Sequence, residues 1–185
     1  SKVPTDGSIV AWSVDLGAPR TKPFSDGRPP ELEFFEKAFD GASTARLAVL
    51  KAQGKGKYKL TKQSPTVSLA KSAGEHPIFT LEKPLRVKKG LTVALTTKTW
   101  VANFAHDGGG LTASGDRWRA SRQKDRCGDD PQKSEKENRD DLFASKPHSK
   151  PGSAKTYGCI YTTARVLYTA YLAPDKDKGG GGDGG

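Results

Sequence analysis

The sequence contains three histidines, His76, His106 and His148, which are the side chains most often used for acid–base catalysis near neutral pH. All three fall in loops or at strand ends, and the Gly-x-Ser-x-Gly, His-Glu-x-x-His and Cys-x-x-Cys motifs are absent. His106 and Asp107 precede Gly108-Gly109-Gly110, whose glycines would let a backbone approach a ligand. Such a run is more often a flexible turn, so we expect no enzymatic activity.

Adjacent carboxylates are the second candidate chemistry, because hard oxygen ligands bind calcium. They occur in three places: Asp129-Asp130, Asp140-Asp141, and Asp175 with Asp177. None belongs to a complete Asp-x-Asp-x-Asp-Gly loop, and basic residues lie among the first two pairs: Lys133, Lys136 and Arg139. A solvated charged loop explains these pairs better, so we expect no metal site and no cofactor.

The formal net charge of +10 is concentrated in the centre of the chain. Residues 45–98 hold twelve Lys and Arg against two acids, whereas residues 1–44 hold five against seven. A concentrated basic block favours one positively charged face and an anionic partner.

Strand alternation predicts which of these basic side chains point away from the core. If Leu85, Val87 and Leu91 point inward, their neighbours point outward. The predicted binding residues are Lys57, Lys59, Arg86, Lys88, Lys98 and Trp100, with Trp118, Arg119 and Arg122 at the loop end. This set suits an acidic polysaccharide or a cell-wall phosphate polymer, and nucleic acid after these. The alternative is a basic surface that only keeps the protein in solution.

Trp100 and Trp118 could each serve either of two roles, binding or packing. Loops at the ends of β-sandwiches commonly carry binding residues, and an exposed tryptophan there would stack on sugar rings. Tryptophan more often packs in a core or covers its edge.

The two cysteines, Cys127 and Cys159, allow one intramolecular bridge. Cys127 lies in a polar loop, where an unpaired thiol outside the cell would be a liability, so we predict a disulfide. It would close a 32-residue loop and stabilise the fold by roughly 3–4 kcal/mol in the chain-entropy argument. The alternative is two free thiols in a cytosolic protein.

Short apolar blocks separated by turn residues predict an all-β fold. The expected strands are residues 9–16, 45–51, 57–61, 66–69, 78–81, 85–95 hinged at Lys88-Lys89-Gly90, 116–120 and 159–172. In the first, Val10, Trp12 and Val14 should share one face. Residues 32–39 fit a strand or a short helix, and we favour the strand because Asp40-Gly41 is a turn signal. The pattern favours a jelly-roll-like β-sandwich, with a galactose-binding-like architecture as one form of it.

Three parts are expected along the chain: an N-terminal arm of residues 1–8, a sandwich domain of residues 9–174 and a Gly-rich flexible tail of residues 175–185. Residues 121–155 read as a long charged loop, which the bridge would pin to the last strands. No apolar run is long enough to span a membrane, and no signal peptide is visible. The start without Met suits a mature exported chain or a piece of a longer one.

Several segments resemble a group of uncharacterised secreted β-sandwich proteins of actinobacteria. The matching residues are Arg46-Leu47-Ala48-Val49-Leu50, Tyr58-Lys59-Leu60, Ser64-Pro65, Pro84 to Gly90, Leu95-Thr96-Thr97, Thr99-Trp100, Trp118 to Arg122, Cys127, and Cys159 to Arg165. The resemblance covers residues 8–172 and implies export, a jelly-roll-like sandwich and a paired cysteine. It brings no catalytic residues. The chain departs from the group at Leu91, where Asp is frequent, and in being more basic.

Two functions remain. The first is a secreted or cell-surface, non-catalytic module that binds an anionic glycan or cell-envelope polymer. The second is a structural subunit of a filament, pilus or surface layer that assembles through strand edges. A hydrolase built around His106 and Asp107 is the weakest hypothesis.

Overall fold

The computed structural model describes residues 1–27, 29–39, 41–97, 99–101, 104–105, 117–144, 146–162 and 165–176, with only the backbone at 104, 105, 142, 143 and 165. The described chain is mostly β-structure in antiparallel sheets. Its strands are β1 (Gly7–Val14), β2 (Thr44–Ala52), β3 (Lys57–Gln63), β4 (Val67–Ser68), β5 (Ile78–Val87), β6 (Thr92–Thr97), β7 (Phe104–Ala105), β8 (Arg117–Ala120), β9 (Ala154–Thr156), β10 (Cys159–Thr162), β11 (Arg165–Val166) and β12 (Tyr168–Pro174). Its helices are α1 (Glu31–Ala38) and α2 (Glu135–Ala144).

The first sheet has the order β12-β1-β5. Trp12 and Val14 of β1 are fully buried, but Val10 is 36% exposed, so the prediction that all three share a face was wrong. The register of β1 shifts between Ile9 and Ala11 against both neighbours, and Val10 is the extra residue. Such a bulge interrupts the alternation, which turns Ile9 rather than Val10 into the core.

The second sheet is built around β2, which pairs with β6 on one side and with β3 and β4 on the other. β9 extends it beyond β3. The turn at Lys88-Lys89-Gly90 therefore leads the chain from the first sheet into the second. Gly90 has φ +83°, a conformation that favours glycine, and its amide bonds the Val3 carbonyl.

Two core clusters lie on opposite faces of β2. Side chains from both sheets form the first cluster, and among them Leu47 and Val49 of β2 are fully buried. Ala48 and Leu50 point the other way, where they pack with Leu60 and Tyr157. The predicted inward residues of the 85–95 segment, Leu85, Val87, Leu91, Val93 and Leu95, all belong to the first cluster.

Residues 32–39, for which we favoured a strand, form most of helix α1 instead. Two acids in the first turn, Glu31 and Glu33, suit the positive end of the helix dipole. The Gly41 amide bonds the Glu36 carbonyl after the last turn, with Gly41 at φ +137°. The Asp-Gly signal thus terminates a helix rather than joining two strands.

The charged segment of residues 121–155 is not one long loop, as the sequence suggested. It contains α2 and part of β9. Ser134 and Glu137 form a capping box at the start of α2: the Ser134 amide donates to Glu137 Oε2 (2.9 Å) and the Glu137 amide to Ser134 Oγ (3.3 Å). The Ser134 hydroxyl holds the pKa of Glu137 below its ordinary value. Capping and two charge pairs, Lys133 with Asp141 and Lys136 with Asp140, help to order this segment.

The predicted disulfide between Cys127 and Cys159 is confirmed. Its Cα atoms are 5.3 Å apart, and the sulfurs join a polar turn to the first residue of β10. Cys159 is fully buried. The bridge therefore anchors the charged segment to the late strands. In the part of the chain described, no helix is long and apolar enough to cross a bilayer.

His148 is 2% exposed and ties the end of the charged segment to the second core cluster. Its Nε2–H donates to the Ser153 carbonyl (3.1 Å), and its Nδ1 accepts from the Tyr157 hydroxyl (3.2 Å) in the tautomer that satisfies both contacts. Burial lowers the pKa of His148, and the positive charge of Lys155 acts in the same direction. The neutral imidazole is thus the form that the fold selects.

The lowered pKa makes stability depend on pH. The unfolded chain takes up a proton near pH 6.5, whereas folded His148 resists it, so the free energy of unfolding should fall as the pH drops below about 6.5. Urea unfolding between pH 7.5 and 5.0 tests this, with His148→Gln as the comparison. The variant should lose stability at pH 7.5 and show the weaker pH dependence. Equal pH slopes for the two proteins would refute the assignment.

Removing the disulfide should lower the free energy of unfolding by about 3–4 kcal/mol, because the unfolded chain regains the freedom of a 32-residue loop. Urea unfolding of the C127A/C159A double variant, followed by tryptophan fluorescence, measures the loss. A reducing agent should destabilise the wild-type protein similarly and leave the double variant unchanged. A loss below about 1 kcal/mol would show that the bridge contributes little to the fold.

Candidate functional site

Four lysines on one face of the β2–β3 hairpin form the main candidate site: Lys51, Lys57, Lys59 and Lys62, called here the hairpin lysines. Lys59 is directly opposite Lys51, and Lys62 is opposite Val49. Alternation places Lys51 on the Val49 face of β2 and Lys57 on the same face of β3 as Lys59. The register shift between Val49 and Leu50 makes Thr61 an extra residue on β3, which returns Lys62 to that face. The sequence predicted Lys57 and Lys59, but Lys51 and Lys62 join the set only through the pairing of the two strands.

The face changes from apolar to charged along β2. Val49 is buried between the sheets, whereas Lys51, Lys57, Lys59 and Lys62 are exposed. Like charges directly opposite each other destabilise a strand pair by several tenths of a kcal/mol. Among the described residues, no carboxylate forms an ion pair with any of the four. The hairpin therefore holds uncompensated positive charge.

Lys62 links this face to the first sheet. Its Nζ donates a hydrogen bond to the Arg86 carbonyl (2.8 Å), across the open end of the core. Arg86 lies in β5, so this hydrogen bond connects two of the predicted strands of basic residues, which belong to different sheets. The sequence alone left that neighbourhood undecided.

Arg86 and Lys88, also predicted to bind, are neutralised within the chain. Arg86 forms a two-pronged contact with the Asp175 carboxylate, and Lys88 Nζ pairs with Asp6 Oδ2 (2.7 Å). Each hydrogen bond lowers the pKa of its aspartate, and the Lys89 amide lowers that of Asp6 further. Both cations are thus less available to an anionic ligand than the hairpin lysines.

Arg119 of β8 lies at the tip of the same hairpin. It is exposed, its guanidinium adjoins Gly56 in the hairpin turn, and its Nη1 donates to the Tyr157 carbonyl (3.4 Å). The Tyr157 amide in turn bonds the Gly56 carbonyl (2.8 Å). Arg119 therefore extends the positive surface beyond Lys57.

Trp100, predicted to lie on the outer face, is instead 8% exposed. Its ring packs against Phe35 of α1, with centroids 5.1 Å apart, and its Nε1–H donates to the Gly41 carbonyl (3.1 Å). Burial of an indole with its N–H satisfied is the packing alternative. The helix that the sequence missed is the reason that Trp100 has a partner.

Trp118 and Arg122 belong to a cluster beside the disulfide. Trp118 stacks on Tyr161, its partner across β8 and β10, with centroids 4.5 Å apart. Arg122 Nη1 donates to the Tyr161 hydroxyl (3.0 Å), which donates to the Cys127 carbonyl (2.6 Å). These contacts engage both side chains in holding the bridge region together.

Several of the remaining candidate residues lie outside the described part of the chain. Lys98, His106 and Asp107 fall there, as do residues 177–185 of the tail. His76 Nδ1 contacts the Asp15 carboxylate in the described part, a pair that the sequence did not reveal. No cluster of three or more His, Cys, Asp or Glu side chains suited to a metal occurs among the residues described.

Arg46 is a second cation without an ion pair among the described residues, and unlike the hairpin lysines it is buried. It lies on the outer face of β2 opposite Thr96, is 9% exposed, and burial lowers its pKa. Its Nε has no hydrogen-bond partner in the described part of the protein. A buried cation without a counter-charge costs free energy, in contrast to the exposed hairpin lysines.

No known protein family, curated protein sequence or solved structure matches this chain. The candidate site is therefore defined by its geometry and charge.

Because Arg46 is buried and its Nε has no partner among the described residues, Arg46→Met should raise the free energy of unfolding by about 1–2 kcal/mol. Urea unfolding measures the change. Lys71→Met removes a positive charge at an exposed position and should alter stability by no more than about 0.5 kcal/mol. Loss of stability in Arg46→Met would mean that a carboxylate elsewhere in the chain pairs with this guanidinium.

Proposed function

We propose that this protein is a non-catalytic binding module for an anionic polymer, which it holds on the hairpin lysines. The observation that carries the proposal is that Lys51, Lys57, Lys59 and Lys62 share one exposed strand face without an ion-pair partner among the described residues. A surface that only maintains solubility gains nothing from placing Lys51 directly opposite Lys59. Because placing like charges opposite each other costs free energy, this arrangement favours a role in attracting an anionic partner.

The strand geometry suits a polymer with regularly spaced charges. Lys57 and Lys59 are two residues apart on β3, which places their Cα atoms about 6.5–7 Å apart. Lys51 lies across the strand pair from Lys59, about 5 Å away. Lysine side chains act as flexible point charges, so they accept carboxylate, sulfate or phosphate groups without demanding one geometry. An acidic polysaccharide or a cell-envelope phosphate polymer is the partner class, ahead of nucleic acid.

The proposal includes a jelly-roll-like β-sandwich formed by the two larger sheets and a location outside the cytoplasm, at the cell surface or secreted. The shared core cluster between the sheets supports the architecture. The disulfide supports the location, because such bonds persist mainly in oxidising compartments.

Replacing three hairpin lysines should weaken binding to a sulfated polysaccharide. For the K51Q/K57Q/K59Q variant, we expect the slope of log affinity against log salt to decrease by about three, one for each lysine. Fluorescence anisotropy with labelled heparin at several salt concentrations measures the slope. Labelled duplex DNA and neutral dextran serve as alternative ligands, and dextran should not bind.

The control variant K22Q/K71Q/K124Q has the same net charge but changes exposed lysines outside the hairpin. It should retain most of the affinity and salt slope of the wild-type protein. If both triple variants weaken equally, net charge rather than the hairpin attracts the polymer, and the proposal fails. Tighter binding to duplex DNA than to heparin would reassign the partner to nucleic acid.

A structural subunit of a surface assembly is the second candidate function. The observation that favours it is the outer edge of β12 in the first sheet, which is uncharged over residues 168–173 and pairs with no strand in the described part of the chain.

A further inference from the structure

The outer face of the β12-β1-β5 sheet exposes large apolar side chains, while Ser13 and Ala11 in the middle of the face are buried. Among described residues, five large apolar side chains are exposed, and three of them lie here: Val10, Ile78 and Tyr171, the second being 59% exposed. The side chains of β5 and β12 that pack in the core, Phe79 and Leu172 among them, alternate with these. Exposed apolar groups collected on one face indicate an interaction surface.

The same face carries no charge in its central rows. One row across the sheet is Thr169, Ser13 and Ile78, and the next is Tyr171, Ala11 and Thr80. The Ser13 and Tyr171 hydroxyls are 3.3 Å apart. In a chain of which 28% is charged, an uncharged sheet face this regular sets the surface apart from the basic hairpin.

Strand β12 ends this sheet with backbone groups that point outward. The Asp15 amide donates to the Leu167 carbonyl, and the Asp175 amide to the Asp6 carbonyl, so the odd-numbered residues of β12 face β1. Tyr168, Ala170 and Leu172 therefore direct their N–H and C=O groups away from it. No strand in the described part of the chain pairs with that side.

The margins at β5, β6 and β9 carry protective features. The four residues Leu81 to Pro84 interrupt the pairing of β5 and include Glu82 and Lys83. The edge of β6 is met by the N-terminal segment, where the Val93 amide bonds the Ser1 carbonyl. β9 carries Lys155. Residues 168–173 contain no charge and no proline, both of which normally block edge-to-edge pairing, and Pro174 stands only at the end of the strand.

We propose that β12 is a dimerisation edge, at which a second copy of this chain adds its own β12 antiparallel about a two-fold axis. We assign this edge to a second copy of the chain because β12 is complementary to itself. With Ala170 opposite its counterpart, Tyr168 meets Leu172 on the core side and Thr169 meets Tyr171 on the outer side. No like charges oppose each other anywhere in this register.

The pairing joins two three-stranded sheets into one of six strands, with a continuous outer face. It satisfies the backbone groups of Tyr168, Ala170 and Leu172 in both copies. The contact is isologous, so by itself it closes at the dimer, and a larger surface assembly would need a second contact elsewhere on the protein. This inference does not depend on polymer binding, although two hairpin faces in one dimer would increase avidity for a long polymer.

The first test is the mass of the wild-type protein in polymer-free buffer. Sedimentation velocity over a range from about 1 to 300 μM should show a shift from 19.8 kDa to twice that mass. The shift should persist at high salt, because the edge is uncharged. A single 19.8 kDa species over the whole range would overturn the proposal.

Two matched substitutions locate the contact. Thr169→Lys places a charge on the β12 edge, and Thr80→Lys makes the same change at an exposed position on β5, across the same sheet. Thr169→Lys should raise the dimer dissociation constant about tenfold or more, and Thr80→Lys should leave it near the wild-type value. Equal weakening by both, with unchanged unfolding midpoints, would overturn the assignment to β12.

Hydrogen exchange gives a readout that needs no substitution. The amides of Ala170 and Leu172 should become more protected as the wild-type concentration rises, while the amides of β5 should not. Protection that appears on β5 instead would overturn the proposal. Thr169→Lys keeps the hairpin lysines, so it should still bind heparin as a monomer. Loss of dimerisation and loss of polymer binding are therefore separate outcomes.

Discussion

The burial of β2 on both faces is the constraint on which the rest of the structure depends. Leu47 and Val49 pack toward the first sheet, and Ala48 and Leu50 pack toward the segment that carries Tyr157. A strand buried on both sides must be covered twice, so the chain needs a second layer beyond the sheet. The disulfide, the His148 contacts and the strand β9 all serve to hold that layer in place.

The same constraint explains where charge is placed. Where β2 leaves the core after Leu50, its next residue on the inner face is Lys51, and the hairpin continues into solvent with lysines on that face. Arg46 lies on the outer face of the buried part of β2, where the desolvation of its guanidinium costs free energy. Arg46 is buried and Lys51 is exposed because the two residues lie on either side of the point where β2 leaves the core.

The two proposed interaction surfaces differ in physical character. The hairpin lysines attract anions from a distance, and this range becomes shorter as the salt concentration rises. They accept anionic groups in many geometries. The edge of β12 acts only on contact, through backbone hydrogen bonds and apolar side chains. A protein with both can recognise a polymer through one and organise copies of itself through the other.

The sequence by itself determined most of the strands, the inward residues of the 85–95 segment and the single possible disulfide, because alternation and two cysteines leave few choices. It placed Lys57 and Lys59 outward for the same reason. It did not predict the short strands β7 and β9. It did not determine α1, the bulge at Val10 or the burial of Trp100, since each depends on partners distant in the chain. The grouping of Lys51 and Lys62 with Lys59 was likewise decided by tertiary structure, because strand register is a property of two segments and not of either one.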